Sequence, residues 1–285
     1  MQGGSQHQFV TPRPPQPAPL PPAAGQGRRL WMFAGTGEGP GLAQQLQAQG
    51  WRLRVSVVDP AAGKPYEQLS AVEISVGALA GVGALRTALE EAEARSDPFA
   101  LVIDATHPFA ERIHTTLQQG CAASGTPLLR LSRPPCRLGP GCTVLPELAH
   151  LSSLDLSGRR LLLAIGARRL PEAVACTAGA VHHARLLPNA HSLQQAMAAR
   201  LAPQRVACLR PTAEGSIEAA LVRRWGIEVI LVRQSGGEPE RRWHRLAARH
   251  GCRLLLLQRP EPGSDVPALS GSELLRDLAQ WRPPG

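Results

Sequence analysis

The sequence predicts an α/β protein with mainly parallel sheets, arranged as two lobes with a cleft between them. Three observations predict it. From Arg29 onward, apolar runs of strand length alternate with helical patterns of about 10 to 15 residues, the order expected of strand–helix–strand units. Some runs, such as the leucines at 254–257, are continuously apolar, as strands covered on both faces are. The alternation also runs through the chain twice, with a Pro/Gly-rich stretch at 133–147 between the two series. Together these give two Rossmann-like lobes, residues 30–135 and 136–285, with ligands expected at the C-terminal ends of the strands.

Each element has its own reason. Residues 1–29 are rich in Pro, Gln and Gly, lack periodicity and read as a disordered tail; they hold no continuous apolar segment of the secretory kind. Strand segments of the first lobe are read at 29–35, 52–58, 72–77, 99–104 and 127–134. Helical patterns fall at 41–50, closed by Gly50, at 83–95, and from Thr106 through Gln119. In the last of these Thr106 is the expected cap, with Pro108 in the first turn. The second lobe repeats the style. Its strands are read at 159–166, 181–187, 205–211, 228–237 and 253–260, and its helices at 168–176, 192–202, 216–226 and 241–251. An amphipathic helix at 272–281 closes the chain.

Composition narrows the function classes. The chain of 285 residues is 43% hydrophobic but only 4% aromatic, so the core is expected to be aliphatic. No apolar run is long enough to span a membrane. The formal charge is +9, carried by arginines with Lys64 as the sole lysine. That excess fits either a biased genome or a ligand with many carboxylates or phosphates. Nucleic acid is not expected, because no basic run carries interleaved aromatics. The six cysteines form no CxxC pair and read as free thiols of a reducing, cytoplasmic compartment, with no metal site expected. Nothing in the sequence sets the oligomeric state; a monomer is the working expectation.

Several stretches carry more polar chemistry than folding needs. Phe33 to Gly41, "FAGTGEGPG", joins a strand to a helix, where bare backbone N–H groups and a helix N-terminus suit a pyrophosphate. Its spacing departs from G-x-G-x-x-G at Pro40, and a tight turn would also need glycine. Past the second strand, Asp59 suggests a ribose hydroxyl and Lys64 a 2′-phosphate. Asp104 to Phe109, "DATHPF", ends a strand on the same expected sheet edge. His107 is left without a capping duty there, and is either a proton source or a structural histidine. Arg130 and Arg133 offer planar forks for carboxylates, or simply face solvent. Ser235, Gly236 and Gly237 form a second glycine turn before a helix. His182 and His183 fall on opposite strand faces and do not act as a pair.

Five pieces in fixed order, "GTGEGPGLAQQL", "VIDATHPFAERI", "LLRLSRP", the "SGG" after an apolar strand and "LLLLQRP", resemble the precorrin-6A and cobalt-precorrin-6A reductase family of cobalamin biosynthesis. The resemblance spans about residues 30 to 260. It implies an NADPH-dependent reduction of a double bond in a corrinoid macrocycle that carries many carboxylates. It also implies that Gly35, Thr36, Gly37 and Glu38, with Thr106, stand on the cofactor side. His107, Pro108 and Phe109 would face the cleft, and Arg130, Arg133 and Ser235 to Gly237 would lie near substrate. The second half departs from the family. Arg233 and Gln234 replace Lys-Asn or Lys-Asp, Trp243 stands for a lysine, and Arg210, Pro211 and Thr212 stand for Gly-Pro-Phe. A reductase of another polycarboxylate, or a non-catalytic nucleotide- or tetrapyrrole-binding paralogue, are the alternative readings.

Overall fold

Alternate residues of the first strand, β1 (Arg29–Ala34), enter two different cores. Leu30, Met32 and Ala34 pack on one face, and Trp31 and Phe33 on the other. A strand apolar on both faces must be covered on both, and helices do the covering. The computed structural model describes residues 28–70, 72–211, 214–260 and 265–281; most of the expected tail and Thr212 lie outside the described residues.

After β1 the first lobe runs through α1 (Gly39–Ala48), β2 (Arg52–Val57), α2 (Pro60–Gly63), β3 (Val72–Val76), α3 (Val82–Ala94), β4 (Leu101–Ala105), α4 (Glu111–Ser124) and β5 (Leu128–Leu131). The second lobe runs through β6 (Cys142–Leu145), β7 (Arg160–Ala164), α5 (Leu170–Cys176), β8 (Val181–Leu186), α6 (Ala190–Ala198) and β9 (Val206–Cys208). It finishes with α7 (Ser216–Trp225), β10 (Val229–Arg233), α8 (Gly237–His250) and β11 (Arg253–Leu257). The chain closes with β12 (Ala268–Leu269) and α9 (Gly271–Ala279). Among the described residues there are two six-stranded sheets, ordered β12-β5-β4-β1-β2-β3 and β6-β11-β10-β7-β8-β9, and every pairing is parallel. Each sheet reverses its strand order once, at β1/β4 and at β7/β10. Such reversals open a crevice at the C-terminal strand ends.

The predicted two-lobe architecture is present, with two departures. The sequence reading assigned everything beyond residue 136 to the second lobe. Instead β12 pairs with β5, and Leu274 and Leu278 of α9 are buried in the first lobe's core. Trp281 meets Trp51 edge-on at 6.3 Å. The amphipathic face of α9 therefore has its partner in the first lobe, and a Ser270–Glu273 capping box sets where the helix starts. The second departure is β6, which lies inside the expected linker and adds an edge to the second sheet. No helix among the described residues is long and apolar enough to cross a membrane.

Candidate active site

The register of β1 against β4 builds the site. Phe33 sits opposite Asp104 and Ala34 opposite Ala105, so the next residues, Gly35 and Thr106, leave the sheet side by side. A Cβ on Gly35 would stand 3.3 Å from the His107 nitrogen and the Thr106 Cα, both backbone atoms that cannot easily give way. Glycine is therefore needed for the close approach of the two loops. At Gly39 a side chain would overlap the buried Tyr66 hydroxyl. This contact holds the turn containing exposed Lys64 against the start of α1. Asp59 caps α2 through a 2.7 Å bond accepted from the Ala61 N–H, and pairs with Arg210 of the second lobe at 3.3 Å.

The second lobe brings its own glycine turn to the same place. Gly236 has φ +69° and Gly237 φ +65°, the left-handed side that favours glycine. A Cβ on Gly236 would lie 2.6 Å from the Arg133 carbonyl oxygen, and one on Gly237 would lie 2.8 Å from Glu38 Oε1. Ser235 immediately precedes this turn. Arg133, nearly fully buried, is the clasp. Its Nε donates to Glu38, its terminal nitrogen donates to Thr36 Oγ1 at 2.7 Å, and its carbonyl accepts from Arg259. Because Glu38 turns to Arg133, α1 has no side-chain cap at its N-terminus. Of its first-turn N–H groups, Gly39 donates to the Thr36 carbonyl at 3.2 Å and Pro40 has none, which leaves that of Gly41 for an anionic ligand.

Thr106 does not cap α4. The helix starts at Glu111, beyond Pro108, and Thr106 Oγ1 donates to Asp104 Oδ1 at 2.7 Å instead. Proline disfavours helical backbone in the residue before it, so the Thr-His-Pro-Phe segment stays a loop. Asp104 is a hub that sequence reasoning missed. Its other oxygen meets His114 Nδ1 at 2.5 Å and accepts from Arg130 Nε at 3.2 Å. Burial pushes the Asp104 carboxyl up, but the His114 hydrogen bond and charge, with the Thr106 bonds, outweigh it and hold the group below the usual range. His114 Nε2 reaches the His107 carbonyl at 3.2 Å, so this network fixes the loop that carries His107.

His107 Nδ1 accepts from the Phe109 N–H at 3.2 Å, which leaves the ring proton on Nε2. Burial, then the positive charges of Arg233, Arg133 and His114, lower its pKa to about 4. His107 is thus neutral at pH 7. Phe109 points away from its own lobe, packing on the second lobe's core with Arg233 stacked over its ring at 5.2 Å. Beside the Thr-His-Pro-Phe loop lies a cavity of about 310 Å³, walled in part by Thr106, Pro108, His114, Arg130, Arg133 and Arg259. The glycine loop is not part of its wall. The two sides of the loop thus offer separate environments, a glycine-lined edge and an arginine-lined hollow.

The profile of the family described as Precorrin-6x reductase CbiJ/CobK matches residues 29–279. The chain belongs to this family. It is 31% identical to the cobalt-precorrin-6A reductase of Synechocystis sp. (strain PCC 6803) over 249 residues, covering 85% of this chain and 93% of that one. It is 29% identical to a precorrin-6A reductase of Sinorhizobium sp., covering 90% of this chain and 94% of the relative. Among solved structures, CobK precorrin-6A reductase superposes with a TM-score of 0.70 at 24% identity, over 90% of this chain and 99% of the other, a likeness of fold.

As a member of a precorrin-6x reductase family the chain is an oxidoreductase. Its second-lobe departures have structural positions. Trp243 packs partly buried against one core of that lobe, Arg233 stacks on Phe109, and Arg210 reaches Asp59 across the lobes. His182 bonds Thr177 at 2.8 Å while His183 packs by the Trp225 ring at 5.0 Å, on opposite faces of β8. Folding gives Asp104, His114 and Arg259 roles that their sequence positions do not spell out. The signals were a carboxylate ending an apolar strand, a histidine seven residues past His107, and an arginine within the "LLLLQRP" piece.

Proposed function

We propose that this reductase acts on a carbon–carbon double bond of the precorrin-6A macrocycle, with or without cobalt, using NADPH, in cobalamin biosynthesis. One observation carries the reading: Gly35 abuts Thr106 and His107, Arg233 lies over Phe109, and the Gly236–Gly237 turn rests on Arg133 and Glu38, so both lobes contribute to one place. The residues present fit a dinucleotide. The α1 N-terminus lacks a side-chain cap, and a Cβ at Gly37 or Gly41 would meet nothing within 4 Å, so a ligand has room to approach the backbone there. Lys64, held beside α1 by Tyr66, is the candidate partner of a 2′-phosphate. The caps and ion pair of Asp59 leave it a weaker candidate for ribose. Free thiols suit the cytoplasm.

Reduction of the double bond needs a hydride on one carbon and a proton on another. A bound nicotinamide supplies the hydride. The protein's part is to hold the ring and guide the proton. Arg130 is engaged only through Nε among the described residues, so its terminal nitrogens remain for a substrate carboxylate at the cavity wall. A macrocycle exceeds that hollow, so one acid-bearing edge enters it. His107 offers Nε2–H as a neutral donor rather than an imidazolium, a form that polarises without trapping a charge in a buried site.

The test is loss of NADPH absorbance on adding precorrin-6A or its cobalt form to purified protein. Turnover with either supports the reading, and binding of both without oxidation rejects it. His107→Asn should lower turnover far more than NADPH affinity; equal loss of both counts against a role for His107 in the reaction.

A further inference from the structure

Behind the Gly236–Gly237 turn, three side chains with metal-binding atoms meet at the junction between the linker and α8. Cys136 Sγ, a Glu240 carboxylate oxygen and a His244 ring nitrogen all lie within 4.8 Å of one another. Sequence spacing gave no hint of it, because Glu240 and His244 share a helix face that is distant in sequence from Cys136. We propose that Cys136, Glu240 and His244 form a zinc-class cation site that pins the interlobe linker to α8.

Two observations beyond proximity point to a cation. Glu240 is fully buried at 0% exposure, yet no Lys or Arg among the described residues pairs with its carboxylate, which accepts the backbone N–H groups of Cys136 at 2.9 Å and Gly236 at 2.7 Å and faces the Cys136 thiol, itself 3.6 Å from the Gly237 carbonyl. Among the described residues the one basic side chain within 4 Å of it is His244, whose Nε2 stands 3.6 Å from Glu240 Oε1. That nitrogen is itself buried without a hydrogen-bond partner. A buried carboxylate and a buried unpartnered ring nitrogen facing each other both cost stability. A divalent ion between them satisfies both.

Zinc holds nitrogen and oxygen at about 2.0–2.1 Å and thiolate sulfur at about 2.3 Å, so tetrahedral nitrogen and oxygen donors stand roughly 3.3 to 3.4 Å apart and pairs with sulfur roughly 3.5 to 3.6 Å. The three donors, 3.6 Å apart for His244 and Glu240 and all within 4.8 Å, draw in on the ion. Thiolate with imidazole and carboxylate selects zinc over magnesium or calcium, and a water completes the shell. The remaining ring nitrogen, Nδ1, lies 3.5 Å from Cys142 Sγ, an outer partner that orients the imidazole. Glu240 also holds the Gly236 N–H, and the Gly236 turn rests on Arg133. The ion therefore stabilises the place where the lobes join and takes no part in hydride transfer.

The full-length chain, stripped with a chelator, is titrated with Zn²⁺ against a chromophoric competitor and with Co²⁺ in the near ultraviolet. One Zn²⁺ per chain, a thiolate-to-Co²⁺ absorption band, and at least tenfold weaker Zn²⁺ binding in Cys136→Ser and His244→Gln are expected. Zn²⁺ should raise the Tm of the unmodified chain and leave both variants where they stand in chelator. No stoichiometric Zn²⁺, a Co²⁺ complex lacking the thiolate band, or undiminished binding by Cys136→Ser overturns the proposal. The Co²⁺ band is read on the unmodified chain and decides the question even where a variant fails to fold.

Discussion

Replacing His107 by Gln should flatten the acid side of the stability profile. The imidazole ionises near 6.5 in an unfolded chain and near about 4 in the folded protein, first because it is buried and then because Arg233, Arg133 and His114 surround it with positive charge. Above about pH 6.5 it is neutral in both states and favours neither. As pH falls below that value the unfolded chain takes up the proton and the folded chain resists, so stability is lost progressively toward pH 4. At pH 5 the loss from this one group is at most about 2 kcal/mol relative to pH 7.5, an upper figure because the ring is partly open to solvent. Urea unfolding of both proteins at pH 7.5 and pH 5 reads it as a change in midpoint at constant slope. Burial also lowers the values of His182 and His183, but both proteins contain them and the comparison cancels their share. An equal loss between the two pH values in wild type and variant would refute the reasoning. His107 would then ionise normally, and the neutral-donor role argued for it would fall.

Three other outcomes are expected. Gly37→Val should change unfolding free energy by no more than about 0.5 kcal/mol, since its side chain enters open space, yet raise KM for NADPH at least tenfold. Lys64→Ala should weaken NADPH by about tenfold while leaving NADH unchanged, measured by fluorescence titration, because only the 2′-phosphate differs. A double-mutant cycle on Glu38→Gln and Arg133→Met should give a coupling of about 1 to 3 kcal/mol in chemical unfolding, between exposed and buried pairs, because Arg133 is buried and Glu38 is half-exposed.

The strand–helix rhythm made the lobes legible, because buried parallel strands must be apolar on both faces and the leucine runs have no other use. What escaped was short or distant. β12 has two residues and β6 has four, each at a sheet edge in Pro/Gly-rich sequence, where periodicity has no room to show. The loop residues Gly35, His107 and Gly236 were readable because each follows an apolar strand, and in each parallel sheet the strand ends share an edge. Their pairing was not. Arg133, Glu38 and Thr36 each stood out in sequence as candidates for a ligand, and only folding brings Glu38 and Thr36 to the Arg133 guanidinium. Thr106 looked like a cap because it precedes a helical pattern; Pro108 disfavours helical backbone before it, the helix starts only at Glu111, and the Thr106 hydroxyl donates to Asp104 instead. Phe109 looked like a cleft residue and is instead seated on the facing lobe's core.

The account depends on a dinucleotide and a corrinoid meeting beside the Thr106–Phe109 loop. Transfer of label tests that most directly: NADPH deuterated at both C4 positions is incubated with protein and precorrin-6A or its cobalt form, and the product mass is read. One deuterium per reduced ring, with the second hydrogen drawn from solvent, is the predicted result. A reduced product free of deuterium, or no reduction of either substrate by a folded protein, would contradict it.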